Sequence, residues 1–266
     1  MKKRPLKSPL VPALLISLGL SMTGCEMLNQ LRARDQLNKG VKAYSSERFD
    51  KAVEHFKQSI EYDPDLLNAQ LYLATAYRAQ WIPGVHTEEN AGFSEKAIQT
   101  FERVLEQDPA NINAMANIAG IYGGNDEPDQ AKEWYRKRLE VDPGNPEPFY
   151  GIGTIDWKLS HDETGINGDA VSYLEEEERA RVIKLVDEGV EALKQALAID
   201  DEHTDALQYL NLMYRERAYL AADEQEKRKW QVEADKLALQ ALDLRKRREE
   251  EAERARHTFG GAAEKQ

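Results

Sequence analysis

What this chain most plainly lacks is a second cysteine. Cys25 stands alone among 266 residues, which excludes an internal disulfide framework and a thiolate zinc site. Long apolar runs are also missing. The one continuous stretch, "PLVPALLISLGLSM" from Pro9 to Met22, has 14 residues. At ~1.5 Å per residue that makes roughly 21 Å of helix, short of the ~30 Å hydrocarbon core of a bilayer. The third shortage is positive charge beyond the amino terminus. Residues 1–24 hold Lys2, Lys3, Arg4 and Lys7 and no acid, leaving 32 basic against 48 acidic residues in the remainder, a net charge of −16. So acidic a body repels phosphate backbones and anionic headgroups, which argues against nucleic acid as a partner. Beyond position 30 there is no run of alternating polar and apolar residues, so strands are not expected.

The residues around Cys25 are instead informative. A basic head, a short apolar middle weakened by Pro9 and Pro12, and small residues at its end make a secretory signal. The segment closes on Thr23-Gly24-Cys25 and resembles the lipobox of bacterial lipoproteins, with Met22 where leucine is usual. That resemblance implies diacylglycerol on the Cys25 sulfur and removal of residues 1–24. Several acyl chains hold firmly where one is marginal, so the implied product is lipid-anchored, with its body in the periplasm. Glu26 follows the cysteine, not the aspartate that retains lipoproteins at the inner membrane of enteric bacteria, which favours the outer membrane. Residues 25–32 form the tether. Fully extended at ~3.3 Å each they reach at most about 26 Å, which keeps the body near the membrane.

That body is a repeat. Helical periodicity is punctuated by "YDPD" at 62–65, "QDPA" at 107–110 and "VDPG" at 141–144. Pro109 and Pro143 lie 34 residues apart, and Pro64 and Pro109 lie 45 apart, the same period with 11 added. Proline suits this place because it ends one helix and fits the first turn of the next. Small and large residues recur within the period: Gly40, Ala52, Phe56 and Ser59; Leu73-Ala74, Tyr77, Ala97 and Phe101; Ile118-Ala119, Tyr122, Ala131 and Tyr135. A period in the mid-thirties with this pattern resembles the tetratricopeptide repeat (TPR) family. The fold class implied is all-α: a TPR-type right-handed helical solenoid of about five helix-pair units with two insertions, over 33–244. The units are 33–66, 67–111, 112–145, 146–203 and 204–244. The fourth and fifth are degenerate, Asp201 standing where proline would be and predicting a looser turn. Residues 230–246 are expected to cap the stack. Residues 245–266 read as a charged helix ending in a frayed tail, whose Arg245–Arg248 cluster has a second reading as a contact for anionic lipid or wall polymer. "YGIGTIDW", the "DEGVEALKQALAID" stretch and "LQYLNLMYRERA" further resemble a group of bacterial TPR lipoproteins, a likeness that implies architecture and no activity.

Candidate chemistry is thin. Gly151-Ile152-Gly153 sits inside a helical pattern with no strand before it, so it reads as close helix packing and not as a phosphate loop. His55, His86, His161, His203 and His257 show no metal-ligand spacing, and His86 and His161 are expected in surface loops. "HDETGINGD" at 161–169 lacks the spacing of a calcium loop. Glu175–Glu178 with Arg179 and Arg181 read as a solvated face with i,i+4 pairs. No Ser-His-Asp grouping can be drawn, so no catalytic residue, cofactor or metal is assigned, and a cell-wall-directed enzyme is the least favoured function.

Binding is the expectation that remains. By resemblance to the TPR pattern, the first helix of each unit lines a groove through Asn68, Tyr72, Thr75 and Arg78; Asn113 and Asn117, with Gly120 and Gly123 leaving room; Tyr150, Thr154 and Trp157; and Gln208, Leu212 and Arg215. Amides and guanidinium would hold a peptide backbone and aromatics would supply contact area. The competing reading of Tyr72, Tyr150 and Trp157 is packing between repeats. The insertions at 81–96 and about 159–186 fall between the helices of a unit and are expected to add binding surface, the second with a helix from about Tyr173. The function expected is a protein–protein adaptor of the bacterial envelope, with a self-associating structural protein as the alternative.

Overall fold

The computed structural model describes the backbone of residues 11–263 and the side chains of 26–254 and Arg256. The basic head and the Cys25 side chain lie outside the described residues. Ten helices follow in order: α1 (Val11–Ser45), α2 (Phe49–Tyr62), α3 (Leu67–Gln80), α4 (Glu88–Gln107), α5 (Ile112–Gly124), α6 (Pro128–Val141), α7 (Pro146–Thr164), α8 (Glu176–Ile199), α9 (Thr204–Tyr219) and α10 (Glu224–Ala263). Two 3₁₀ turns, Ile166–Gly168 and Val171–Tyr173, connect α7 to α8, and no strand occurs among the described residues. The chain forms two compact units, Met1–Ile121 and Tyr122–Gln266.

Each Asp-Pro signal makes the same turn. The backbone N–H of Asp63, Asp108 and Asp142 donates to the carbonyl four residues back, at 3.0, 2.8 and 2.9 Å. In the second and third turns the aspartate also accepts from the next helix's capping amide, Asn111 to Asp108 at 2.9 Å and Asn145 to Asp142 at 3.0 Å. Asn111 and Asn145 in turn accept from the N–H of Ala114 and Glu147, filling donors that a helix start leaves open. The turn lacking proline is no looser. Asp200 N–H reaches Ala196 at 3.0 Å, and His203 caps α9 by accepting from Ala206 N–H at 3.2 Å. The i−4 bond and the cap hold this turn, and proline only biases it.

In the first unit α1 packs on α2 and α3 on α4. The Ser59 hydroxyl donates to the Ala33 carbonyl at 2.7 Å, and a methyl group on Gly40 would overlap the Phe56 ring, so the small residue sets the helix separation. Helix α1 is continuous through the expected tether, so residues 25–32 are helical and shorter than an extended strand of chain. The first insertion is ordered. Buried Asn90 accepts from Ile82 N–H at 2.7 Å and donates to the carbonyls of Ile82 and Val85 at 2.9 and 2.8 Å, pinning the loop to an α4 lengthened at its start.

In the second unit α7 packs on α8, α8 on α9 and α9 on α10. Val182, Val186, Leu193, Leu210, Met213 and Leu220 fill its core. A side chain on Gly153 would overlap Leu193, confirming the glycine pair as a helix contact. The acidic run begins α8 differently from expectation. Glu175 N–H donates to the Glu178 carboxylate at 3.1 Å, while Arg179 reaches the carbonyls of Leu220 and Ala221 and Arg181 pairs with Glu163 at 2.8 Å. Carboxylates collect there because a helix start offers free N–H donors and positive potential, and the arginines are drawn to acceptors outside their own helix. The basic cluster at 245–248 is likewise engaged within the chain. Arg248 donates to Thr204 Oγ1 and the Glu202 carbonyl, both at 2.9 Å, and α10 runs on to Ala263.

Candidate functional site

Two surfaces carry the residues expected to bind. On the first unit Asn68, Tyr72, Thr75 and Arg78 follow one another at spacings of four, three and three along α3, which places them on one helix face. Tyr72 both packs and shows. Its ring stacks on the buried Phe56 at 5.6 Å and 17°, yet the residue remains 40% exposed. Asn68 and Arg78 are exposed, and Thr75 spends its proton on the Leu71 carbonyl at 2.8 Å, leaving an acceptor. The Arg78 guanidinium lies 3.9 Å from where a Cβ on Gly120 would stand, an ordinary contact, so Arg78 rests over α5. On α5 Asn113 is exposed and Asn117 is half-buried, its amide donating to the Asn113 carbonyl at 2.8 Å.

On the second unit the aromatics converge. Tyr209 of α9 meets Tyr150 edge-on at 5.6 Å and Trp157 at 5.3 Å, Tyr150 also meets the His203 ring at 5.1 Å, and Trp157 stacks on His161 at 5.1 Å. Such pairs prefer these tilted and edge-to-face geometries. Burial pushes the Tyr150 phenol up to about 12, and the neighbouring Tyr209, Asp205, Glu147 and Tyr135 add to the shift. At neutral pH it is therefore an uncharged O–H. Among the described residues Trp157 Nε1 has no acceptor. His161 is on helix, not in a loop. Its Nδ1 lies 2.8 Å from the buried Glu216, to which the Thr164 hydroxyl also donates. Beneath, the Lys132 ammonium pairs with the fully buried Asp156, whose carboxyl burial pushes up while Lys132 pulls it back.

Gln208 and Leu212 point elsewhere, into a cleft of about 500 Å³ between α9 and α10 that Ala238, Ala241, Leu242 and Arg245 complete. Arg215 is tied to Asn211 at 3.2 Å and Asp235 at 3.0 Å, and Thr154 donates to the Gly151 carbonyl at 2.9 Å. The structure thus joins Tyr150 and Trp157 in one cluster and separates them from Gln208 and Leu212. Tyr209, the residue at the cluster's centre, escaped the sequence reading. Its signal was register: Tyr150 is fifth in α7 and Tyr209 sixth in α9. Among the described residues no group of three metal-ligating side chains gathers.

Comparison with known proteins agrees with this geometry. Residues 37–66 and 94–150 match family models described as tetratricopeptide repeat. The chain contains tetratricopeptide repeats. A crystal structure of MamA protein is similar over 82% of this chain and 94% of its own, at 16% identity and a TM-score of 0.57. A second MamA crystal structure matches at 18% identity and 0.54, covering 79% and 96%, and MamA 41-end from Desulfovibrio magneticus RS-1 at 15% and 0.54, covering 81% and 96%. At these identities the likeness is of fold: an all-α TPR solenoid. No curated protein matched. TPR modules bind proteins or peptides, and α3 and α7 stand at first-helix positions of the repeat pattern.

Proposed function

We propose that the chain is an adaptor of the bacterial cell envelope, anchored by lipid at Cys25 and binding a protein or peptide through the first helices of its TPR units. The observation that carries the binding reading is the row Asn68, Tyr72, Thr75 and Arg78 on α3. There one aromatic face and two exposed polar side chains remain available on a helix whose opposite side is core. The anchoring reading rests on the basic head, the short apolar stretch and Thr23-Gly24-Cys25. The body then lies in the periplasm, and Glu26 favours the outer membrane. The buried carboxylates Asp156 and Glu216 are each occupied by a partner within the chain, Lys132 and His161.

One observation favours a second reading, self-association. Val232, Leu239 and Leu242 on α10 are exposed apolar residues, so that helix does not end the stack on a polar face as a cap would. Cross-linking in cells and fractionation of wild type beside Cys25→Ala test the proposal. The wild type should follow membranes and capture a second protein, and Cys25→Ala should be lost from membranes. A captured species consisting only of further copies of the chain would favour self-association.

A further inference from the structure

The geometry points to a second membrane contact beside the anchor: an apolar stripe on α1, Met27, Leu28 and Leu31, that seats in the bilayer interface. This rests on the reading that Cys25 is acylated. The three side chains are exposed by 66, 47 and 56%. At about 100° per residue they fall on one side of the helix, roughly opposite Ala33, Gly40 and Ala43, the buried residues that face α2. Arg32 lies over the ring of Tyr62, the last residue of α2, at 5.8 Å. Residues 26–31 therefore project past the end of α2 as helix without a packing partner in their own repeat. Unpacked turns of helix are marginal in water, and three large apolar groups on one make an aqueous setting poorer still.

Three features choose a bilayer as what covers the stripe. It begins two residues after Cys25, and an acylated cysteine fixes that end of α1 at the lipid surface. Residues 27–34 carry Arg32 and Arg34 and no acid, in a chain that is otherwise strongly acidic. By the same helical count the two arginines flank the stripe on either side, the arrangement in which cationic side chains reach headgroups while the apolar face sinks. A stripe so placed makes α1 a second point of attachment and fixes how the first unit faces the membrane, which acyl chains alone would not do.

The lipidated full chain offers a clean probe, because acylation consumes its one native thiol. Leu28→Cys and, on the other side of α1, Asn29→Cys would each be labelled with the polarity-sensitive dye NBD and reconstituted into phosphatidylethanolamine/phosphatidylglycerol vesicles. At position 28 the dye should emit to the blue of its aqueous maximum and be quenched by brominated lipid, and at 29 it should behave as in water. Aqueous emission at both sites on a chain whose intact mass shows acylated Cys25 overturns the stripe and leaves the anchor standing. A blue shift at 28 without quenching by brominated lipid means a protein surface covers the stripe and also overturns it. An intact mass lacking acyl groups removes the anchoring reading and this inference with it.

Discussion

Tyr150 holds its proton tightly because its ring is packed among Tyr209, His203 and neighbouring acids, and that has a consequence for stability at high pH. A phenol whose pKa is raised on folding contributes stability that is intact below its unfolded value near 10 and is lost as pH climbs toward about 12. Tyr150→Phe should flatten that alkaline loss in denaturation midpoints taken between pH 9 and 12, and an unchanged slope would mean Tyr150 does not carry it. At Gly40 the constraint is steric. Gly40→Ala pushes a methyl into the Phe56 ring, and such overpacking costs roughly 1–3 kcal/mol. Urea denaturation should show that loss. The buried pair is more sensitive. Lys132→Met leaves Asp156 charged and without its partner, for which the expected loss is about 3–5 kcal/mol. Because burial has raised the Asp156 pKa, its carboxylate costs stability above that pKa, so the Lys132→Met chain should regain stability as acid protonates Asp156.

Single side chains decide elements as well. The Asn90 side chain binds the loop 82–87 to α4 through three hydrogen bonds. At about 1 kcal/mol net for each, Asn90→Ala should free the loop without unfolding the repeat. Hydrogen exchange would show it as lost protection at Ile82 and Val85, with α3 unchanged. The order of this insertion was not legible in the sequence, because "WIPGVHTEEN" reads as polar loop and gives no hint that its last amide turns back on its first residues. The Asp-Pro turns were legible, since their signals are local: an aspartate and a proline side by side at the end of a helical pattern. The aromatic cluster was half legible. Tyr150 and Trp157 mark their own helix, but Tyr209 acquires its role only when α9 is laid beside α7, and that adjacency is tertiary. Glu175–Glu178 are exposed as a charge run suggests, but their i,i+4 pairs with Arg179 and Arg181 do not form, because those arginines reach acceptors on other elements.

At the scale of the whole chain, repeats supply a surface and the amino terminus supplies a place. Helix pairs α1–α2, α3–α4, α7–α8 and α9–α10 recur within the two units, and a repeated first helix presents its outward residues again and again while its core residues are consumed by packing. This is why the fold was readable from period alone while the partner is not: the period is enforced by the core, and the exposed positions are free to vary with what they meet. The central claim is that first-helix faces, not second-helix faces, hold a partner. Photo-cross-linking amino acids placed in cells at Tyr72 on α3 and Thr154 on α7, beside exposed controls Glu54 on α2 and Glu191 on α8, test it most directly. The account predicts adducts to another protein from positions 72 and 154 and none from 54 and 191. Adducts from the controls alone, or adducts from 72 and 154 made solely to further copies of the chain, would contradict it.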